Sequence, residues 1–455
     1  MWNDRTKETL YTAVYMSDRI NPQPPSGFRD SLPADAAMRQ DMMNRIAAVF
    51  ARAGFAPIDT PSLERPEVLT GGDEGFTKNI YRARITDDDE PLALRFDLTV
   101  PLARYVAAHA DDLQFPFLRY HIGKVWRGEH AQAGRYREFA QCDADIVGAT
   151  SMVADAQIIS LVYAVFSELG LASHVRIRLS NRKILNGLSE FLQFDASKTS
   201  QVLRAIDKLD KQQWPAVATE LSDKVGLDAQ QIDAIQEFLN LKGETPELLL
   251  DGAETLLKFG TLAQRGITEL RELITHLDSL QVPRTAWNLD LSVARGLGYY
   301  TGTVFETTLS ALPHYGSVCS GGRYDDLVAR FSPLQLSGVG LSVGIDRLIA
   351  ALDEVGLSRR QFAPAKVAVL DFDQTSRSTI LGIVADLRAA GVSTSLYVGH
   401  DENLKGQLSW AVKGGFPYVI IAGANECARG VAQLKDMNAR TQEEIPFPDL
   451  AARLA

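Results

Sequence analysis

The spacing of hydrophobic and polar residues changes along the chain, and each change predicts a different kind of element. The run AAMRQDMMNRIAAVFARAGF has a helical period and reaches Gly54, a residue type that commonly ends helices. Between Leu92 and Gly148 the period becomes two, which predicts long antiparallel strands with one covered face. Further along, SGVGLSVGIDRLIAALDEVG predicts a strand, a tight turn and a helix.

The same changes divide the chain into segments. Residues 195–282 are rich in Leu, Ala, Glu and Lys without strand-like alternation, which predicts a helical insertion within an α+β domain. From Lys366 strands alternate with helices, as in an α/β unit with a largely parallel sheet. The predicted segments are an N-terminal extension at 1–21, an α+β core at 22–194 and 283–357, the insertion at 195–282 and a C-terminal domain at 365–455.

Two predicted strands carry polar side chains on one face. Alternation within the strand Phe139–Val147, and within LALRFDLTV read as a strand, separates these side chains from an apolar face. They are Gln141, Asp143 and Asp145 in the first strand, and Arg95, Asp97 and Thr99 in the second. Such a face can belong to a binding site or can simply be solvated, and the two strands alone leave both interpretations open.

A cationic segment lies between these strands. The chain has 47 Lys and Arg against 57 Asp and Glu, a net charge of −10, so any polyanion must be bound by local patches. One such patch is FLRYHIGKVWRGEHAQAGRYREF, whose cations are Arg119, Lys124, Arg127, Arg135 and Arg137. Arg127 can fork onto a phosphate, and Glu129 can accept a hydrogen bond from an amine such as that of adenine. A surface hairpin with satisfied ion pairs is the alternative.

Arginines also follow glycines in the second part of the core. ARGLGYYTGTVFE sets Arg295 beside Tyr299 and Tyr300, and neighbours in a regular strand point to opposite faces, so at most one tyrosine would line a given wall. Arg323 follows the glycine pair of SGGRYDDL, and Arg347 begins a helix after GLSVG. The phosphate-binding patterns GxxxxGK[ST] and strand-GxGxxG-helix are both absent, which argues against a parallel-sheet nucleotide fold in the N-terminal domain.

The cysteines and histidines predict neither a disulfide framework nor a zinc site. Cys142, Cys319 and Cys427 lie far apart, and the sequence contains no CxxC pair and no HExxH. We therefore expect a protein of the reducing cytoplasm without a metal bound by its own side chains. No stretch approaches 18 consecutive apolar residues, so no membrane span is expected.

Taken in order, these segments resemble those of histidyl-tRNA synthetases, a family of class II aminoacyl-tRNA synthetases. The segment Ala36–Glu64, which ends in TPSLE, is similar to motif 1, WRGEHAQAGRYREF to motif 2 and GVGLSVGIDRL to motif 3. ARGLGYYTGTVFE and SGGRYDDLV resemble the histidine-specific segments that other class II synthetases lack. The similarity covers about residues 22–455. It implies a class II antiparallel sheet flanked by helices and a C-terminal α/β anticodon-binding domain.

The resemblance also implies roles for individual residues. Arg127 would hold the α-phosphate of ATP, Glu129 the adenine edge and Arg347 the γ-phosphate. Arg295 would share catalysis with Arg127 by bridging the histidine carboxylate and the α-phosphate. The implied histidine-binding residues are Asp97, Thr99 and Gln141 at the α-amino end, Asp145, Tyr299 and Tyr300 at the imidazole, and Arg127 and Arg295.

The implied activity is the two-step attachment of histidine to tRNA(His). Histidine would attack the α-phosphorus of ATP to give histidyl-adenylate and pyrophosphate, and the histidyl group would then pass to the 3′ end of the tRNA. The substrates would therefore be L-histidine, tRNA(His) and ATP with Mg²⁺ bridging its outer phosphates. The implied assembly is a homodimer through motif 1.

Some positions depart from the family, and other functions stay open. Gly298 stands where the family usually has Asp, and His130 and Ala131 replace an arginine and a proline of motif 2. A synthetase-like regulatory subunit of ATP phosphoribosyltransferase would keep the fold without aminoacylation, although such relatives commonly lose motif residues that persist here. A tRNA-sensing pseudo-synthetase domain is a further alternative, as is a structural or dimer-bracing role for the C-terminal domain.

Overall fold

An eight-stranded sheet forms the centre of the larger of two units into which the described chain divides. The computed structural model describes residues 20–455 except 72–78, 85, 87–89, 130–133, 211, 259, 294–298, 359–362 and 402. The larger unit contains the described residues up to 30 and from 39 to 358, and the smaller contains 31–38 and the described residues from 359 onward. Arg295, Gly298, His130, Ala131 and nearly all of the predicted extension lie outside the described residues.

The central sheet is antiparallel in its middle and parallel at both edges. The strands of the larger unit are β1 Ala56–Pro57, β2 Leu63–Glu64, β3 Arg82–Ala83, β4 Leu92–Leu94, β5 Phe117–Trp126, β6 Glu138–Val147, β7 Val175–Asn181, β8 Trp287–Leu289, β9 Thr303–Leu309, β10 Cys319–Tyr324 and β11 Gly338–Gly344. The sheet order is β1-β5-β6-β11-β10-β9-β7-β8, with parallel pairing only in β1–β5 and β7–β8. Strands β2, β4 and β3 form a small separate sheet. The α+β prediction is confirmed.

Helices flank the sheet and fill the predicted insertion. In the larger unit they include Pro66–Thr70, Thr99–Ala108, Met152–Glu168, Arg182–Asn186, Leu188–Leu192 and Ile345–Glu354, and Pro33–Arg52 lies across residues of both units. Between 195 and 282 the described regular elements are all helical, with α-helices at Thr199–Ile206, Trp214–Glu220, Ala229–Leu239, Pro246–Leu256 and Thr261–Ser279. Apolar side chains such as Ile267, Leu270 and Ile274 are buried there. Such packing stabilises helices more than the intrinsic helix propensity of their residues does.

Strand β6 is buried on both faces. Its apolar face places Cys142 and Ala144 in the core, where helix Met152–Glu168 packs against β6, β10 and β11. Its polar face is equally covered, because Asp143 is only 1% exposed and Asp145 only 2%. The solvated-face alternative is therefore wrong for this strand. Burial of a charged group is costly without partners, and Asp145 has two, which are described below.

The predicted strand LALRFDLTV is wrong beyond its third residue. Strand β4 ends at Leu94, and the helix Thr99–Ala108 begins almost at once. Asp97 explains the change, because its Oδ1 accepts a hydrogen bond from the backbone N–H of Val100 at 3.1 Å, as a helix-capping carboxylate does. Pro101 is tolerated because the first turn of a helix has backbone N–H groups without helical partners.

The smaller unit is an α/β domain with a mixed sheet. Its strands are β12 Val367–Val369, β13 Thr394–Leu396, β14 Tyr418–Ile421, β15 Val431–Asp436 and β16 Thr441–Pro446, and its α-helices are Arg377–Ala389, Leu404–Lys413, Ala424–Arg429 and Leu450–Leu454. The order β13-β12-β14-β15-β16 pairs β12 in parallel with β13 and β14, and β15 antiparallel with β14 and β16. The prediction missed β16 and so overstated the parallel share of the sheet. The sequence TQEEIP of β16 is mostly exposed and lacks apolar alternation.

Candidate active site

One cavity of about 330 Å³ lies among β6, β9, β10, β11 and the segments that adjoin them. Its wall contains eight of the ten predicted site residues, namely Asp97, Thr99, Arg127, Glu129, Gln141, Tyr299, Tyr300 and Arg347. These side chains come from segments more than 200 positions apart in the sequence, and the sheet brings them together. Arg295 lies outside the described residues, and Asp145 lies outside the cavity wall.

Asp97 supplies a buried carboxylate to the cavity wall. Its Oδ1 caps the helix Thr99–Ala108, and its Oδ2 accepts a hydrogen bond from the Tyr299 hydroxyl at 3.4 Å. Burial raises the pKa of Asp97 to about 6, although the Val100 N–H and the charge of Arg127 oppose the shift. The carboxylate is therefore mainly ionised above neutral pH and can attract an ammonium group.

Arg127 is anchored just beyond the end of β5. Its Nε donates to the carbonyl of Phe96 at 3.0 Å, and its guanidinium lies 5.1 Å from the ring centroid of Phe139. Both contacts fix the plane of the guanidinium at the cavity wall. A planar fork held in this way suits a phosphate or carboxylate group.

A second arginine enters the cavity from the start of the helix Ile345–Glu354. The Arg347 guanidinium donates to the carbonyl of Tyr315 and lies 5.6 Å from the centroid of that ring. Arg135 also lines the cavity, 3.9 Å from the carboxylate of Glu129, whose side chain is otherwise exposed. The cavity thus combines several cations with the separate carboxylate of Asp97, an arrangement suited to a polyphosphate beside an amine.

Tyr299 and Tyr300 both line the cavity, contrary to the prediction for a regular strand. The pair precedes β9 rather than lying in it, so the alternation rule does not apply. Their ring centroids are 5.0 Å apart in an edge-to-face arrangement, with an interplanar angle of 66°. Burial raises the pKa of both hydroxyls above the ordinary value, so they remain neutral donors and acceptors.

Gln141 and Thr99 are further polar residues of the cavity wall. Gln141 lies on the polar face of β6 and donates through Nε2 to the hydroxyl of Ser342 on β11. Its Oε1 is buried and has no hydrogen-bond partner among the described residues, which leaves an acceptor for a ligand. Thr99 begins the helix that Asp97 caps.

Asp145 is buried behind the cavity instead of lining it. Its Oδ1 accepts a hydrogen bond from the Tyr324 hydroxyl at 2.7 Å, and its Oδ2 lies 2.6 Å from Nη2 of Arg119 as an ion pair. Arg119 is itself fully buried, so it does not belong to the predicted surface patch. Arg323, the arginine that follows the glycine pair of SGGRYDDL, is also buried, and its Nε donates to Asp155 at 3.1 Å.

Several cavity residues escaped the sequence analysis. They are Tyr136, Phe139, Glu306, Ser317, Val318, Cys319, Ser320 and Ser342, with glycines between them. A signal existed for Glu306, a charged residue inside the apolar strand sequence TVFETTL and only 5% exposed. The serines carry no comparable pattern, since small polar residues near turns are common.

Asp143 is expected to destabilise the folded protein at alkaline pH. Burial raises its pKa from the ordinary 3.8 to about 7, and the attraction of Arg119 only partly opposes this. Between these values the folded state keeps a proton that the unfolded chain has released, so stability falls as pH rises from about 4 to about 7. Asp143→Asn should therefore raise the melting temperature by about 2 °C or more at pH 8, and by less at pH 5. Thermal unfolding across this range checks it; a variant less stable than wild type at pH 8 would contradict it.

Metal and membrane features are absent from the described part of the chain. No three His, Cys, Asp or Glu side chains come together there in a way that could hold a metal ion. None of the helices described is long and apolar enough to span a membrane.

Comparisons with known proteins agree over nearly the whole length. Residues 27–348 match the family model for histidyl-tRNA synthetase, and residues 366–455 match that of an anticodon binding domain. A histidine–tRNA ligase of Wolinella succinogenes is 41% identical over 96% of this chain and 98% of its own. A histidyl-tRNA synthetase structure from Nostoc sp. PCC 7120 is 35% identical, with a TM-score of 0.85 over 96% of this chain and 99% of its own.

A further solved structure shares the fold at lower identity. It is described as an ATP phosphoribosyltransferase regulatory subunit/histidyl-tRNA synthetase from Bacillus halodurans. That protein is 22% identical, with a TM-score of 0.71 over 86% of this chain and 97% of its own. At this identity the likeness concerns the fold alone.

Proposed function

We propose that this chain, which belongs to the histidyl-tRNA synthetase family, attaches histidine to tRNA(His) at the expense of ATP. The observation that carries the proposal is the single cavity that joins Arg127 and Arg347 to the carboxylate of Asp97. The guanidinium groups suit the phosphates of ATP, and the buried carboxylate suits the α-ammonium group of an amino acid.

The proposal assigns a role to each predicted site residue. Asp97, Thr99 and Gln141 would hold the α-amino end of histidine, and Tyr299 and Tyr300 would contact its imidazole. Arg127 would hold the α-phosphate, Glu129 the adenine edge and Arg347 the γ-phosphate. Arg295 keeps its predicted role between the histidine carboxylate and the α-phosphate. Asp145 lies behind the wall, so it would act on the imidazole end through Tyr324 rather than by direct contact.

The first step would be attack of the histidine carboxylate on the α-phosphorus, with pyrophosphate leaving in line. Negative charge develops on the α-phosphate oxygens in the transition state, next to the guanidinium that Phe96 and Phe139 hold in place. In the second step a terminal ribose hydroxyl of the tRNA would attack the carbonyl carbon of the adenylate and take the histidyl group, with AMP as the leaving group. Both steps depend on positioning and electrostatics rather than on a covalent enzyme intermediate.

Mg²⁺ would enter with ATP as part of the substrate. Such ions are usually held by one or two carboxylates together with substrate phosphates. Besides Asp97, the cavity wall contains the carboxylates of Glu129 and Glu306. Because Glu129 is proposed to contact adenine, Glu306 is the carboxylate that would fit an ion carried mainly by the nucleotide. When bound, the ion would neutralise phosphate charge during the departure of pyrophosphate.

Histidine-dependent ATP–pyrophosphate exchange tests the activity directly. We expect exchange with L-histidine, none above background with the other nineteen amino acids, and subsequent charging of tRNA(His). Exchange would also establish that the active site functions with Gly298 in place of the usual Asp. A folded protein that binds histidine without exchange would instead favour the regulatory-subunit alternative, which the 41% identity to the Wolinella succinogenes ligase does not favour.

The assembly and location follow from family membership as further proposals. We propose a homodimer formed through the motif 1 segment, a cytoplasmic location consistent with the free cysteines, and anticodon binding by the C-terminal domain. Light scattering coupled to gel filtration would give the mass of the assembly.

A further inference from the structure

A fully buried arginine lies behind the cavity. Arg119 on β5 is 0% exposed and stands directly across from Asp145 on β6 in the strand register. Its Nη2 lies 2.6 Å from Oδ2 of Asp145. Neither residue lines the cavity, so any effect of this pair on a ligand must pass through other side chains.

Two glycines of β11 leave room for a contact between Asp145 and Tyr324. Asp145 stands across from Gly340 on β11, and a Cβ added there would lie 1.9 Å from Asp145 Oδ1. A Cβ on Gly338 would likewise lie 2.2 Å from the ring of Tyr324 on β10. Tyr324 can therefore reach over β11 and donate its hydroxyl hydrogen bond to Asp145 at 2.7 Å. Side chains at either glycine would block this contact.

The contact continues into the cavity wall through aromatic rings. Tyr324 packs edge-to-face on Tyr299, with centroids 6.0 Å apart, and Tyr299 packs in the same way on Tyr300. Tyr300 lies over Gly322, where an added Cβ would be 3.0 Å from its ring. Arg119 is thus joined to the tyrosine wall by two polar contacts and two ring contacts.

The positive charge of Arg119 favours the ionised form of Asp145. A buried carboxylate without a counter-ion takes up a proton, because desolvation disfavours its charged form. A protonated Asp145 could donate a hydrogen bond and would no longer require the Tyr324 hydroxyl to point towards it. The ion pair therefore keeps Asp145 an acceptor and fixes the orientation of Tyr324.

We propose that Arg119 is a positioning residue for the amino-acid end of the active site, holding Asp145 and Tyr324 so that Tyr299 and Tyr300 keep the shape that binds histidine. The proposal deepens the proposed function and rests on it. It assigns Arg119 no contact with substrate and no part in ATP binding.

Steady-state exchange kinetics of Arg119→Met, Arg119→Lys and Tyr324→Phe test the proposal. Arg119→Met should raise the KM for histidine about tenfold or more, as expected when one partner of a buried ion pair is removed. The KM for ATP should change by less than about threefold, since its contacts lie elsewhere. Arg119→Lys keeps the charge and should recover most of the affinity. Tyr324→Phe leaves the ion pair intact and should reproduce the histidine defect, even if Arg119→Met does not fold.

Lys183→Met is the control, because it breaks a different ion pair, the partly buried one with Glu269, away from the cavity. It should lower the melting temperature and leave both KM values unchanged. An unchanged histidine KM in a folded Arg119→Met or Tyr324→Phe protein would overturn the proposal, as would equal changes in both KM values. Wild-type protein without exchange would overturn the proposed function instead, and the histidine Kd from calorimetry would then provide the same comparison.

Discussion

Replacing Arg127 by alanine is expected to lower the turnover of histidine-dependent pyrophosphate exchange by about 10³-fold or more. The guanidinium is fixed at the cavity wall by the Phe96 carbonyl and the Phe139 ring, so it is in place before any substrate binds. Preorganised charge of this kind stabilises the α-phosphate more in the transition state than in the ground state. Turnover should therefore fall more than the affinity for ATP.

Two further variants separate this effect from a general disturbance. Arg127→Lys keeps the charge but loses the planar fork, and it should remain well below wild type. Lys124→Ala removes an exposed cation from β5 whose partner is Glu138, outside the cavity, and should stay close to wild-type activity. An Arg127→Ala protein with near-normal exchange would remove Arg127 from the catalytic machinery.

The sheet and its apolar face could be predicted because alternation is a local property. The sequence of β6 alternates over its whole length, and the strand occupies Glu138–Val147 as the pattern indicates. The same pattern could not tell a buried polar face from a solvated one, since burial depends on which elements cover the sheet. The structure resolves this, because Asp143 and Asp145 are both buried and Asp145 has partners on β5 and β10.

The wrong predictions concern short segments in which regular strand alternation does not apply. Asp97 ends the alternation of LALRFDLTV by capping a helix, an effect of one side chain on one backbone N–H. Tyr299 and Tyr300 line the same cavity because they lie outside regular structure, where neighbouring side chains need not point to opposite faces. Both errors concern residues at the cavity, where local patterning gives way to the requirements of a site.

The buried carboxylates show that this region is organised for binding at some loss of stability. Burial raises the pKa of Asp97, Asp143 and Asp145 alike, so each is less stable in its charged form than a solvated carboxylate. Arg119 offsets part of this penalty for all three. Such clusters of perturbed groups are typical of functional sites. They are also the positions at which neutral substitutions can stabilise a protein while impairing its activity.

Asp97→Asn is expected to raise the KM for histidine about 10- to 100-fold, the range for loss of a hydrogen bond to a charged group. Asparagine still caps a helix, so the fold around Thr99 should persist. The KM for ATP is the internal reference and should change little. Asp228→Asn alters another helix-capping carboxylate, in the insertion and outside the cavity, and should leave both KM values unchanged.

The pH dependence gives a second, independent signature of Asp97. Because its pKa is about 6, the carboxylate becomes protonated as pH falls through 6, and kcat/KM for histidine should decline on that side. The substrate imidazole also titrates near pH 6.5, so wild type alone cannot assign the decline. In Asp97→Asn, titration of the substrate imidazole should still lower kcat/KM at acid pH, whereas titration of Asp97 no longer can. The decline of kcat/KM with falling pH should therefore be shallower in the variant. An acid limb of equal steepness in both proteins would show that another group controls histidine binding, because only Asp97 differs between them.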